Sequence, residues 1–230
     1  MNCVWKAVVV VVAVVGSVGL LVGSLTAAEA ASDSNQEPWQ DLFNGKDFDG
    51  WQTAAGQKPG EGWVVEDSAM CRKAAAGDIW TKDRFGDFVL DLEFKTEGNS
   101  GVFIRTDNPR DCVQTGIEIQ VYKPAGQPSK HSCGAVYDAV APSKEMAKDG
   151  QWNHLVVTAA DNRLTVALNG QQIIDMDLNR WSDAGKNPDG SGNKFRTALK
   201  DFKREGHIGF QDHGANVSYR KVKIKPLKKP

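Results

Sequence analysis

A chain of 230 residues with 40% hydrophobic and 25% charged composition lies in the ordinary globular range and is long enough for one domain with a substantial core. Its 28 Lys and Arg against 29 Asp and Glu leave a net charge of -1, so no overall basic surface exists to hold a nucleic acid or an anionic membrane. The local cluster Lys221, Lys223, Lys225, Lys228 and Lys229 reads as an edge strand and tail, where lysines discourage stray pairing; a small binding patch is the alternative.

In chain order, Lys6 precedes an apolar run over residues 7–25, and small residues follow at Ala27, Ala28, Ala30 and Ala31. This is the pattern of a secretory signal, with cleavage expected after Ala30 and a periplasmic or extracellular mature protein without a membrane span. An uncleaved anchor is the other reading, because the run approaches the roughly 20 residues that cross a bilayer. Residues 31–37 read as a disordered leader, and residues 38–227 as a single domain. After removal of Cys3, the three cysteines Cys71, Cys112 and Cys133 allow at most one internal bridge. Cys112 with Cys133 is the expected pair, since they flank one strand and its return loop. None of them has the C-x-x-C spacing of a zinc site.

From Trp39 onward, short runs of period-two alternation are punctuated by Gly, Asn and Asp, which predicts an all-β antiparallel sandwich. The strand at 87–95 is the clearest: Phe88, Leu90, Leu92 and Phe94 share one face and Val89, Asp91, Glu93 and Lys95 the other. A meander is predicted over 152–160, 163–168 and 171–176, its second turn carrying Asn169-Gly170, the pair that a type I′ hairpin favours. Shorter strands are expected at 62–66, 70–73, 78–82, 101–106, 116–122, 207–211 and 217–225. In the last, Val217 and Tyr219 alternate in one phase and Val222 and Ile224 in the other, so a β-bulge is expected near Arg220. Residues 182–205 form a long irregular loop with one helical turn around 197–202, and such loops are often functional.

Three strands gather polar side chains. Along 116–122, Ile117, Ile119 and Val121 take one side and Glu118, Gln120 and Tyr122 the other. Along 101–105, Gly101, Phe103 and Arg105 oppose Val102 and Ile104; along 207–213, Gly209, Gln211 and His213 oppose Ile208 and Phe210. Each is also what the wet face of a plain sandwich looks like. The residue types favour more: Glu, Gln, Arg and His make directional hydrogen bonds to hydroxyl groups, and Glu with His moves protons. Gly101, Gly116 and Gly209 are expected to leave room for a ligand above the backbone. Of the tryptophans, Trp51, Trp63, Trp80, Trp152 and Trp181 read mainly as core, with sugar stacking as the alternative.

The runs Leu42-Phe43-Asn44-Gly45-Lys46-Asp47-Phe48-Asp49-Gly50-Trp51, Gly98-Asn99-Ser100-Gly101-Val102-Phe103-Ile104-Arg105, Glu118-Ile119-Gln120, Gly134-Ala135-Val136-Tyr137 with Ala141-Pro142, Trp152-Asn153, Leu168-Asn169-Gly170 and Gly209-Phe210-Gln211-Asp212-His213-Gly214 together resemble the 3-keto-disaccharide hydrolase domain family. The resemblance spans about residues 38–227 and implies a concanavalin A-like or laminin G-like jelly roll. Two features depart from the family pattern, Phe210 in place of an aliphatic residue and the Cys112 and Cys133 pair.

The resemblance implies cleavage of a glycoside oxidised at C3, in which the ketone acidifies the C2 proton, the enolate expels the C1 oxygen and water then adds. Glu118 and His213 are the expected acid/base groups; Arg105 and Gln120 orient the sugar and polarise the ketone; Gln211, Asp212 and Tyr137 are further contacts to a carbohydrate substrate. A divalent metal held by Glu118 and His213 is a possible cofactor, and the sequence leaves that open. A carbohydrate-binding module without turnover is the alternative function, and it has no need for a proton-transfer pair. Glu118, Gln120, Arg105, Gln211 and His213 are expected to line one pocket.

Overall fold

The computed structural model describes residues 37–228, so the expected signal and most of the expected leader lie outside the described residues. In chain order the strands are β1 (Gln40–Asp41), β2 (Trp51–Thr53), β3 (Trp63–Glu66), β4 (Ala69–Arg72), β5 (Ile79–Thr81), β6 (Phe88–Thr96), β7 (Ser100–Thr106), β8 (Ile117–Val121), β9 (Asn153–Ala160), β10 (Arg163–Leu168), β11 (Gln171–Asp177), β12 (His207–Phe210) and β13 (Val217–Pro226). A one-turn helix, α1 (Cys112–Thr115), links β7 to β8. Eight strands form one antiparallel sheet in the order β11-β10-β9-β6-β13-β4-β3, with β1 also on β13; five form the second, in the order β2-β5-β12-β7-β8. The fold is the expected β-sandwich of jelly-roll type, and among the described residues no helix is long and apolar enough to cross a membrane.

The core lies between the sheets. Phe88, Leu90, Leu92 and Phe94 of β6 face Val102 and Ile104 of β7, Ile117, Ile119 and Val121 of β8, and Ile208 and Phe210 of β12 within one buried cluster. Phe210, the unusual aromatic, is stacked between Trp51 and Tyr219, with ring centroids at 4.8 and 3.9 Å. The larger residue therefore completes an aromatic column that an aliphatic side chain would leave thin. Trp51, Trp63 and Trp181 belong to the core cluster, as the core reading expects; Trp80 is buried outside that cluster, on the other face of the five-stranded sheet, and Trp152 sits half-buried under the Arg220 guanidinium at 3.9 Å. The bulge in β13 falls between Arg220 and Lys223, and Lys221 has φ +52. Asn169 and Gly170 both have positive φ, 52 and 81, as a type I′ turn requires. The expected helical turn in the long loop is a 3-10 turn at Leu199–Asp201.

Two expectations fail. Cys112 and Cys133 are both free. They sit beyond opposite ends of β8: Cys112 lies in α1 before it, and Cys133 is buried in the core beside Gln120, where Gly134 N–H donates to the Gln120 carbonyl at 2.8 Å. Five residues of strand rise about 16 Å, against the roughly 4.4–6.8 Å that a disulfide bridges between Cα atoms. Mass spectrometry of the unfolded, unreduced chain should therefore show both thiols alkylated, with no gain of two hydrogens on reduction. The glycines do not clear a space for ligand either. A Cβ on Gly209 would lie 2.3 Å from the Trp80 ring, and one on Gly101 2.6 Å from Glu118 Oε1; the space is taken by the protein's own side chains. Gly209→Ala should cost about 1–3 kcal/mol by overpacking, seen as a lower urea midpoint at unchanged m value.

Candidate active site

The geometry of the site follows from strand register. Gly209 of β12 pairs with both Trp80 of β5 and Phe103 of β7, and Phe103 pairs with Glu118 of β8. Trp80, Phe103 and Glu118 thus form one row across the outer face of the five-stranded sheet, Gly209 leaving a gap that the Trp80 ring fills. The next row pairs Gly101 with Gln120, and Gln211 N–H donates to the Gly101 carbonyl at 3.0 Å. Trp80 and Phe103 are fully buried, with ring centroids 5.5 Å apart, and form an aromatic floor.

Glu118 is the central group. Its carboxylate lies over the bare backbone of Gly101 and is only 6% exposed. Burial pushes its pKa above the ordinary carboxylate range; the Lys194 charge and hydrogen bond and the His213 charge oppose this, and Asp78 adds to it. Lys194 Nζ donates to Glu118 Oε2 at 3.2 Å and lies 4.0 Å above the centre of the Tyr137 ring. Tyr137 is anchored by its own N–H, which donates to the Glu118 carbonyl at 2.9 Å, and its phenol is pushed up by burial and by the Glu118 and Asp138 charges. Gln120 Nε2 donates to Asn99 Oδ1 at 2.9 Å, which fixes the amide's orientation. Among the described residues, Gln120 Oε1, Gln211 Oε1 and Trp80 Nε1 are buried with no hydrogen-bond partner. Natural proteins seldom leave buried polar atoms unmatched, and two acceptors with one donor suit the hydroxyl groups of a sugar.

Asp78, just ahead of β5, supplies a second carboxyl. Burial, with the Asp212 charge, pushes its pKa up, although its backbone bond from Asp212 and the His213 charge act the other way. Its Oδ1 accepts from Asp212 N–H at 2.8 Å, and its Oδ2 lies 4.0 Å from the Cys112 thiol, which burial pushes up to about 11. His213 is exposed at the rim, close enough for its charge to act on both Glu118 and Asp78.

The structure brings Glu118, Gln120, Gln211, Tyr137 and His213 to this face and leaves two predicted residues out. Arg105 is buried elsewhere: Nε donates to Gly86 O at 2.8 Å, Nη1 to Asp161 O at 2.7 Å and Nη2 to Asp87 Oδ1 at 2.7 Å. The cause is a bulge in β7. Between the pairs Phe103 with Gly209 and Thr106 with His207, two residues of β7, Ile104 and Arg105, oppose one of β12, Ile208; Arg105 has φ +49, and the alternation shared by Gly101 and Phe103 breaks there. Asp212 is a loop lock, not a sugar ligand. It accepts from Arg72 Nε at 2.7 Å, Ala76 N–H at 2.7 Å, Gly77 N–H at 3.0 Å and Gly214 N–H at 3.2 Å. Burial would raise its pKa, and these donors hold it below the ordinary range.

Two residues of the site were missed. Asp78 precedes a short strand at the same parity as Trp80, and that spacing was the available signal. Lys194 lies on the long loop, where no periodicity exists to single it out. The residues do not form a metal centre: among the described residues no group of three or more His, Cys, Asp or Glu converges to hold an ion, and Glu118 already faces the ammonium of Lys194. A separate cleft of about 710 Å³ involves Arg84, Asp87, Asp107, Asp161, Lys203 and Arg204. Arg84 and Asp107 in it are paired at 2.7 Å, whereas three of the four buried side-chain atoms without a partner among the described residues, those of Trp80, Gln120 and Gln211, lie on the Glu118 face, the fourth being Thr106 Oγ1.

The model of the 3-keto-alpha-glucoside-1,2-lyase-like domain matches residues 38–225. A Bacteroides thetaiotaomicron protein described as 3-keto-disaccharide hydrolase is 24% identical over 247 aligned positions, covering 89% of this chain and 84% of the relative. Two crystal structures of Parabacteroides distasonis proteins, described as candidate glycosyl hydrolases, are also similar. One is 31% identical with TM-score 0.74, covering 83% of this chain and 100% of its own. The other is 27% identical with TM-score 0.68, covering 83% and 94%.

Proposed function

The chain belongs to the 3-keto-alpha-glucoside-1,2-lyase-like domain family, and on that footing we propose that it cleaves the glycosidic bond of a sugar oxidised at C3, acting outside the cytoplasm. Glu118 takes the C2 proton, which the neighbouring ketone acidifies, and the C2–H electrons form the enolate. The enolate re-forms the ketone, a C1–C2 double bond appears, and the C1–O bond breaks with its electrons on the leaving oxygen. His213, in its protonated form at the rim, gives that oxygen its proton. Water then adds across the double bond, its hydroxyl to C1 and its other proton to His213, while the proton on Glu118 returns to C2; this gives the free 3-keto sugar and restores both groups. The lyase in the family's description and the hydrolase in the relative's correspond to elimination alone and to elimination with hydration.

The observation that carries this reading is Glu118: one buried carboxyl of raised pKa over the side-chain-free Gly101, beside two amide oxygens that lack donors. A base whose pKa is moved toward neutrality is better matched to proton abstraction than an ordinary exposed carboxylate. The Gln120 and Gln211 oxygens supply the hydroxyl contacts that orient the ring, and the buried Trp80 and Phe103 rings hold the sheet beneath them. Purified protein incubated with a 3-keto glucoside should release aglycone and 3-keto sugar by mass, with transient ultraviolet absorbance from the conjugated enone. Binding of the 3-keto glucoside without product would instead identify a carbohydrate-binding module.

A further inference from the structure

We infer that Lys194 is the positioning residue of the site, delivered by the 182–206 loop to hold the buried Glu118 carboxylate in its ionised, proton-accepting form. The inference rests on the reading of Glu118 as the base at C2. The loop is pinned on both sides of the lysine. Lys194 N–H donates to Asp138 Oδ2 at 2.6 Å, its carbonyl accepts from Gln114 Nε2 at 3.0 Å, and Gln114 Oε1 accepts from Arg196 N–H at 2.8 Å. Asp138 follows Tyr137, and Gln114 lies in α1, so the two elements that flank β8 both grip the loop at this residue. From that anchor the side chain crosses the Tyr137 ring, which favours a cation on its face, and ends on Glu118 Oε2.

Six titratable groups interact with Glu118: Lys194 from the loop, His213 after β12, Asp78 before β5, Tyr137 after β8, Cys112 in α1 and Tyr219 in β13. Asp78 is of like charge, and the tyrosines and the cysteine are neutral at ordinary pH. Of the two cations, Lys194 is the one in hydrogen-bond contact, and its side chain is 22% exposed against 6% for Glu118. An opposite charge this close to a carboxyl typically lowers its pKa by about 1–3 units. Without it, burial acts on Glu118 opposed only by the more distant His213, and the carboxyl protonates at higher pH.

The experiment follows Glu118 itself as well as turnover. The carboxyl carbon of Glu118, labelled with ¹³C and assigned by its loss in Glu118→Gln, is titrated in the parent, Lys194→Met and Lys194→Arg, with kcat/KM on a 3-keto glucoside measured across the same pH range. Lys194→Met should raise both the Glu118 midpoint and the acidic limb of the rate profile by about 1–3 units, with the high-pH plateau retained within a few-fold and an unchanged amide spectrum. Lys194→Arg should restore both. A Glu118 midpoint that stays put in folded Lys194→Met overturns the inference. If Lys194→Met does not fold, an unshifted midpoint in Lys194→Gln does the same. A midpoint that moves while the parent turns over no 3-keto glycoside supports the ion pair and overturns instead the reading of Glu118 as base.

Discussion

Glu118→Gln is expected to lower turnover of a 3-keto glycoside by about 10²- to 10⁴-fold, the usual contribution of a general acid/base group, with substrate affinity and fold retained. Glutamine matches glutamate in shape, and its Oε1 still accepts from Lys194 Nζ in place of the carboxylate oxygen. What it loses is the ability to carry a proton from C2. The variant should also be at least as stable as the parent at neutral pH. Because burial, the largest influence, raises the Glu118 pKa above its ordinary 4.5, the stabilising contribution of this group is complete below about 4.5 and is lost as pH rises through the raised value. Glu118→Gln removes that dependence, so its urea midpoint should fall less than the parent's between pH 4 and pH 8. Isothermal titration with a non-cleavable 3-keto ligand separates the outcomes: lost binding with little change in rate per bound substrate would make Glu118 a ligand contact, as in a lectin, and not the base.

The parts of the fold that the sequence displayed are those governed by side-chain parity. On β8 the alternation of Ile117, Ile119 and Val121 with Glu118 and Gln120 determines which face is core and which is site, and the structure keeps that division. The phase change between Tyr219 and Val222 exposed the β13 bulge for the same reason, because buried residues appear on both sides of it. The β7 bulge left no such trace. Gly101, Phe103 and Arg105 keep perfect alternation in sequence, and a positive φ at Arg105 moves its side chain away without altering the pattern. Asp212 misled for a related reason: a carboxylate beside a catalytic candidate looks like a ligand, and its donors come from Arg72, Ala76 and Gly77, more than 130 positions away. Lys194 was illegible because a loop has no period, and its placement depends on Asp138 and Gln114 in separate elements.

Arg105→Met should destabilise the protein by about 3–5 kcal/mol, the usual cost of removing one partner of a buried pair, while leaving kcat on a 3-keto glycoside unchanged where the variant is folded. The Arg105 and Asp87 side chains are 2% and 8% exposed. Burial brings the guanidinium pKa down to about 10 in spite of the Asp87 charge, so desolvation outweighs the attraction within the pair. The structural value of Arg105 therefore lies in what it ties together. It joins β7 of the five-stranded sheet to the Gly86-Asp87 segment before β6 and to Asp161 in the β9–β10 turn, both belonging to the eight-stranded sheet. Methionine fills the same channel with an apolar stem but takes the guanidinium from Asp87, whose carboxylate keeps the Asp161 N–H at 3.0 Å, and the Gly86 and Asp161 carbonyls lose the Arg105 donors. Arg105→Met with Asp87→Asn, which removes the stranded charge, should recover part of the loss, because much of the penalty belongs to an unpaired buried carboxylate. Urea unfolding of the two variants measures this directly. A variant that keeps full stability but loses turnover would return Arg105 to the sugar site and contradict the bulge that turns it away.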